Sequence, residues 1–345
     1  MSELVVVDAD VLGRQRTGDE TYVRNLLRTL PDPAADAGLR IAAVTRRPDL
    51  VPEGIEAFEL RARSQGLRMA LTLPRALRRL GAGLVHTQYA LPLRCPCPAV
   101  VTIHDVSFAR GLMGRRDLMV FRRIVPRAAR AAARVLTVSE RTKRDLIDLY
   151  ELPPDRVVVT PNGVDPAFGP QRSACDEKVQ LGSGPYALAV GAIQERKNQA
   201  AALRAAHEVG LDLVVVGPTK DMRVAEELRA GGARLEGYVP TDRLAALYRG
   251  AACLVQPSRH EGFGLPVVEA MASGTPVVAV ADPALVEVAG GAALVVGEES
   301  LAYGIQRALE EREQLSAAGL ERARAFSWEA TARATVQVYA DVLGR

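Results

Sequence analysis

Aromatic residues make up only 4% of this 345-residue chain, with one tryptophan and six phenylalanines. A nucleic-acid surface combines cations with aromatic stacking platforms, so this scarcity argues against one. Cysteine is also rare: Cys95 and Cys97 flank Pro96, and Cys175 and Cys253 stand far away. Four such residues do not make a disulfide scaffold, and one C-x-C pair without clustered histidines is no metal site. The thiols read as bystanders in a reducing cytosol. No window approaches eighteen uninterrupted apolar residues, which excludes a spanning helix. The opening MSELVVVDAD has neither a basic flank nor a long apolar core and reads as a first strand rather than a signal peptide. Three fingerprints are missing as well. Without G-x-G-x-x-G or G-x-x-x-x-G-K-[ST], a nicotinamide dehydrogenase or a P-loop triphosphatase is disfavoured, and without G-x-S-x-G, so is an esterase.

What is present is a soluble globular composition, 25% charged and 48% apolar, long enough for two domains with separate cores. The formal charge of +3 is unevenly spread. Residues 1–165 carry 26 basic and 19 acidic side chains, and the remainder carries 18 and 22. Arginines concentrate in 61–79 and 110–134, among them Arg110, Arg115, Arg116, Arg122, Arg123, Arg127, Arg130 and Arg134. Such a face suits an anionic membrane surface or an anionic acceptor, or is simply a solvated helix face.

Short apolar strands are predicted at 4–7, 41–44, 84–87, 99–103, 135–138 and 157–160, with helices at 20–30, 67–80, 118–133 and 140–149. After an irregular linker at 166–185, a second series has strands near 186–190, 212–216, 234–236, 252–256, 277–280 and 293–296. Helices at 198–209, 222–230, 241–249, 265–272, 283–289 and 299–312 separate these. The alternation predicts an α/β protein of two doubly wound, Rossmann-like domains facing a central cleft, 1–165 and 186–326. A last helix at 327–342 is expected to brace the first domain.

The most informative stretch is E-G-F-G-L-P-V-V-E at 261–269. It follows a strand, so Glu261 falls in a loop and Glu269 one to two turns into a helix. Gly262 and Gly264 let the backbone approach a ligand, and the N–H groups of the helix start favour a diphosphate. Acids at either side suit polyol groups, and a nucleotide sugar has that shape. G-A-I-Q-E-R-K-N at 191–198 also follows a strand; Arg196 and Lys197 would meet the negative charge that grows on a departing diphosphate. Thr102-Ile103-His104-Asp105 ends a strand of the first domain, where His104 would bind a sugar hydroxyl or the reacting centre and Asp105 would orient it or cap the next segment. In Arg14–Glu20, Gly18 would let a loop approach the phosphates. Tyr22 and Arg24 beyond it read equally well as acceptor contacts or as surface positions. Ser139 reads as a helix cap, Asn162–Asp165 as a hinge turn, and Tyr238 and Val239 as flanking a nucleotide base.

With these motifs, T-G-D-E-T-Y at 17–22, T-I-H-D at 102–105, V-S-E-R-T-K at 138–143, P-N-G-V-D at 161–165, the 191–198 stretch and P-S-R-H-E-G-F-G-L-P-V-V-E-A at 257–270, the chain resembles a retaining glycosyltransferase of family four with the GT-B fold. The resemblance implies transfer of a hexose from a nucleoside diphosphate sugar to a saccharide or lipid-linked acceptor, and the fixed cations Arg196 and Lys197 would make a metal unnecessary. It implies that Glu261 contacts the donor sugar and Glu269 the ribose. Phe263, Gly264 and Leu265 would line the phosphate and sugar region, Arg196 and Lys197 would hold the diphosphate, and His104 would lie near the donor sugar with the Gly18 loop. Mannosyltransferases of polysaccharide biosynthesis are the nearest in character, which favours GDP-mannose as donor and a cytoplasmic enzyme at the inner face of the plasma membrane. A nucleotide-sugar epimerase, a phosphorylase and a non-enzymatic binding subunit are the alternatives.

Overall fold

The computed structural model describes residues 2–14, 17–111, 115–171 and 184–345. Gln15, Arg16, Cys175 and most of the predicted linker lie outside the described residues, as do the side chains of Arg110, Arg115 and Arg116. The chain divides into two compact units, one of Met1–Gly163 with Trp328–Arg345 and one of Val164–Ser327.

The first unit runs β1 (Glu3–Asp8), α1 (Thr17–Thr29), α2 (Pro31–Asp36), β2 (Leu39–Thr45), β3 (Glu56–Glu59), α3 (Gln65–Leu67), α4 (Leu73–Leu80), β4 (Leu84–Gln88), β5 (Ala99–Thr102), α5 (Arg115–Ala131), β6 (Arg134–Thr137), α6 (Glu140–Tyr150) and β7 (Val157–Val159). One π-helical turn, Arg68–Thr72, joins α3 to α4. The seven strands pair in parallel in the order β3-β2-β1-β4-β5-β6-β7. The inner strands are buried on both sides, as helices covering both faces require, and β4 buries His86 and Thr87 among its apolar residues.

The second unit runs β8 (Tyr186–Val190), α7 (Gln199–Glu208), β9 (Asp212–Val216), α8 (Met222–Ala230), β10 (Arg234–Gly237), α9 (Thr241–Gly250), β11 (Cys253–Gln256), α10 (Leu265–Ala272), β12 (Val277–Val280), α11 (Pro283–Ala289), β13 (Leu294–Val296), α12 (Leu301–Glu310) and α13 (Arg312–Ala323). Its six strands are parallel in the order β10-β9-β8-β11-β12-β13. The chain then re-enters the first unit as α14 (Trp328–Leu343), which packs on α1, α2 and β6.

Strand order reverses between β1 and β4 in the first unit and between β8 and β11 in the second. Helices on the two sides of such a reversal diverge, which opens a crevice beyond the strands' carboxyl ends. In the second unit that end is drawn tight by backbone: a Cβ on Gly217 (φ +145) would lie 2.1 Å from the Gly191 carbonyl oxygen, so only glycine fits.

Three elements depart from the sequence-based expectation. β3 (E-A-F-E) is an edge strand whose charges protect an open edge, so it shows no apolar run. α2 begins with Pro31, a residue compatible with a first helical turn, just beyond the predicted helix at 20–30. The expected helix at 299–312 is α12 followed by a separate α13. Only Leu315, Gly319 and Ala323 of α13 are buried, a seam with one large side chain in which Gly319 meets Met271 of α10. Small residues carry little hydrophobic signal, which is why the sequence hid this helix.

Candidate active site

The switch point of the second unit brings two loops together. After β8 the chain turns at Gly191 and forms one 3₁₀ turn, Glu195–Lys197; Asn198, in the left-handed region at φ +52, then starts α7. After β11 it passes through Pro257–Phe263 to Gly264, which stands at φ +107 and begins α10. Because β8 and β11 are neighbours, residues 64 positions apart meet. The Arg259 N–H donates to the Arg196 carbonyl at 3.1 Å, and the Arg196 guanidinium donates to the His260 carbonyl.

Glu261 is the centre of this junction. Its Oε1 accepts from Lys197 Nζ at 2.5 Å and from Gln256 Nε2 at 2.7 Å, and its Oε2 lies 3.7 Å from Arg196 Nη1. Burial alone would raise this carboxyl; the charges of Lys197 and Arg196, with hydrogen bonds from Lys197 and Ser258, hold it instead at about 2. Glu261 is therefore a carboxylate fixed between two cations, and the cations are fixed in turn.

Glu269 occupies the second turn of α10 and is also buried, but its company differs. Its Oε2 accepts from the Tyr248 hydroxyl of α9 at 2.8 Å. Burial raises its pKa to about 7, the Tyr248 hydrogen bond opposes that shift, and the negative charge of Asp165 adds to it. Phe263 is buried against Phe326, ring centroids 5.6 Å apart, and a Cβ on Gly264 would strike Leu285 at 2.7 Å. Leu265 is half-buried. Of the first three helical residues, Pro266 has no N–H and Val267 turns its own back to the Gly264 carbonyl, which narrows the donors expected there. Tyr238 is exposed and Val239 half-buried just beyond β10.

In the first unit His104 lies two residues past the end of β5. Its Nε2 is buried without a hydrogen-bond partner, and its ring meets Tyr22 edge-on at 4.6 Å and Tyr89 at 5.6 Å. Burial lowers the pKa of the ring against the opposing pull of Asp19 and Asp105. Asp105 closes a local turn just before the next segment: its Oδ1 accepts from the Ser107 N–H at 2.9 Å and from the Ser107 hydroxyl at 2.7 Å. Ser139 caps α6, accepting from the Thr142 N–H at 3.1 Å. Gly18 is not in a loop but in the exposed first turn of α1, where nothing lies within 4 Å of a Cβ. Tyr22 is neither an acceptor contact nor a surface position; it is fully buried in the core. Arg24 is exposed and pairs with Glu20 at 2.9 Å.

A family description, Glycosyltransferase Family 4, matches residues 16–168, and a second, Glycosyl transferases group 1, matches residues 174–325. The O-antigen chain mannosyltransferase B of Escherichia coli is 32% identical over 265 residues, 70% of each chain. A D-inositol 3-phosphate glycosyltransferase of Frankia alni is 35% identical over 305 residues, 77% of this chain and 70% of that one. The chain belongs to glycosyltransferase family 4.

The family 4 glycosyltransferase shares the fold of sucrose-phosphate synthase from Thermosynechococcus elongatus, at a TM-score of 0.79, 20% identity and 99% coverage of both chains. It is thus a GT-B transferase that moves a hexose from a nucleotide sugar to an acceptor. Among the described residues no group of three or more histidine, cysteine or acidic side chains could hold a metal ion, and no helix is long and apolar enough to cross a membrane. Sequence reasoning missed Tyr248, Gln256 and Ser258, which set the state of the two glutamates. Gln256, at the carboxyl end of a strand, and Ser258, inside the 257–270 motif, carried a signal; Tyr248, in the last turn of α9, carried none.

Proposed function

We propose that this glycosyltransferase is a retaining, metal-independent hexosyltransferase with GDP-mannose as its donor and a saccharide or lipid-linked acceptor. The observation that carries the reading is the Lys197–Glu261–Arg196 junction at the switch point of the second unit. In the proposed reaction Arg196 and Lys197 take the charge that grows on the departing diphosphate, so fixed cations do the work of a metal. Glu261, held ionised, accepts from donor-sugar hydroxyls rather than attacking carbon. The acceptor hydroxyl attacks from the face that diphosphate leaves, and a phosphate oxygen receives its proton. Glu269 takes the ribose hydroxyls, Tyr238 and Val239 flank the base, and Phe263, Gly264 and Leu265 line the phosphate and sugar region. His104, through its unpartnered Nε2, addresses the donor sugar, with Gly18 leaving the start of α1 open to the phosphates. The Escherichia coli relative is a mannosyltransferase, which supports mannose as the sugar moved.

Incubation with GDP-, UDP- and ADP-linked sugars, following release of the free diphosphate, tests the reading. Release of GDP from GDP-mannose with a retained anomeric configuration, unchanged by a chelator, is expected. Release from another nucleotide alone, or inversion, overturns the corresponding part.

The proposed site of work is the cytoplasmic membrane surface. Residues 61–134 carry fifteen arginines, no lysine and two acidic residues. Leu67, Leu71, Leu93, Met119, Val120 and Ile124, half of the large exposed apolar side chains among the described residues, lie in the same span. Leu93 bonds through its backbone to Met69 and to Arg127, which ties the three segments together; of the arginines in this span Arg68 is buried against Asp8. That combination suits anionic lipid. Co-sedimentation with phosphatidylglycerol vesicles but not phosphatidylcholine vesicles is expected, and equal partition with both would remove the proposal.

A further inference from the structure

Next to His104 runs a line of buried polar groups that the proposed reaction leaves unused. The Tyr339 hydroxyl lies 2.6 Å from His86 Nδ1, His86 Nε2 lies 2.7 Å from Thr102 Oγ1, and Thr102 Oγ1 lies 3.0 Å from the Tyr22 hydroxyl. The four residues come from α14, β4, β5 and α1, and all are fully buried. The line ends at the candidate site, because the Tyr22 ring is the one that meets His104 edge-on. Trp328, the first residue of α14, stands edge-on to the same tyrosine at 6.1 Å.

The chemistry of the groups makes the line rigid. Burial, aided by the neighbouring His104, lowers the pKa of His86 to about 3, with Asp8 opposing, so its imidazole is neutral near pH 7. A neutral imidazole has one donor nitrogen and one acceptor nitrogen, so Tyr339 and Thr102 must take opposite roles at the ring. Thr102 has a single hydroxyl hydrogen and gives it either to His86 or to Tyr22. The hydrogens therefore all point one way along the line, and turning any hydroxyl aside would orphan a buried neighbour. Tyr22 is thus anchored at its hydroxyl and along its ring, and His104 rests on it.

We infer that Tyr22, Thr102, His86 and Tyr339 are positioning residues that fix the ring of His104, so that its unpaired Nε2 is aimed before the donor arrives. The last helix of the chain, through Tyr339, is by this account part of the support of the site. The inference rests on the role proposed for His104, and its test separates the two.

Tyr339→Phe and Tyr22→Phe each keep the ring and remove the hydroxyl. In protein labelled with ¹⁵N-histidine, assigned through His104→Ala, both variants should move the His104 ring signals and leave those of exposed His207 in place. With the donor that turns over in the panel above, each variant should lower kcat by about tenfold or more, the scale of a misplaced reacting group. In a His104→Ala background the same substitutions should lower kcat no further. Unmoved His104 signals in the folded variants, or an equal fold-loss with and without His104, would overturn the inference. If Tyr339→Phe does not fold, Tyr22→Phe, which keeps its contact with Trp328, decides alone. If no donor in the panel turns over, the proposed transfer falls while the histidine signals still decide the positioning role.

Discussion

Glu261 and Glu269 stand eight residues apart, 7% and 8% exposed, yet their pKa values are pushed in opposite directions. Glu261 lies at the switch point, where the β8 loop supplies Lys197 and Arg196, and titrates at about 2. Glu269 lies on α10, where a tyrosine hydroxyl is its hydrogen-bond donor and Asp165 adds negative charge, and titrates at about 7. Equal burial with different neighbours gives one permanent carboxylate and one acid poised near neutrality. Desolvation sets the cost of a charge, and the partners brought by the fold decide whether that cost is met.

The two groups push stability in opposite directions with pH. Between about 2 and the ordinary carboxylate value near 4.5 the unfolded chain holds more protons at Glu261, so this contribution is present above that window and lost as pH falls through it. For Glu269 the folded state holds the extra proton between about 4.5 and 7, so stability from this group is present at low pH and lost as pH rises through 7.

The largest expected effect breaks the Glu261 side of the comparison. Lys197→Ala or Glu261→Ala should lower turnover by about 10²-fold or more, the scale of one lost transition-state contact. Near-normal turnover in either variant would count against the assigned roles. Next comes the joint between the two acids: Gly264→Ala forces a side chain into a left-handed backbone and against Leu285, and thermal melting should show a loss of about 2 kcal/mol. An unchanged melting temperature would mean that the joint relaxes freely.

A smaller effect sharpens the Glu269 side. If Glu269 accepts from ribose hydroxyls, nucleotide binding needs it ionised. Calorimetric affinity should then fall about tenfold per pH unit below 7, and Glu269→Gln should flatten that slope. A wild-type affinity that is level from pH 8 to 6 would separate Glu269 from the ribose. The smallest is Tyr248→Phe, which removes the hydroxyl donor to Glu269. It should move the Glu269 titration, followed by carboxyl NMR, upward at a stability cost of about 1 kcal/mol. A downward move would show that the hydroxyl does not stabilise the carboxylate.

Much of this was legible in the chain. Short continuous apolar runs placed nearly every inner strand within a residue or two, since such a run is a local property of the chain. The exceptions are instructive: β3 and α13 bury too little apolar surface to leave a period. The motif at 261–269 gave both acids, and the cations at 196 and 197 were evident from their place after a strand.

What the amino-acid order alone determined, then, was the parallel α/β architecture and the set of polar residues at strand ends, because each depends on neighbours a few positions away. Tertiary structure alone decided the charge states and the supports. Lys197 reaches Glu261 across 64 positions, Tyr248 reaches Glu269 across 21, and Tyr339 reaches His86 across 253. A titration state is a sum over whatever charges and donors are near in space, and no local pattern in a chain encodes that sum.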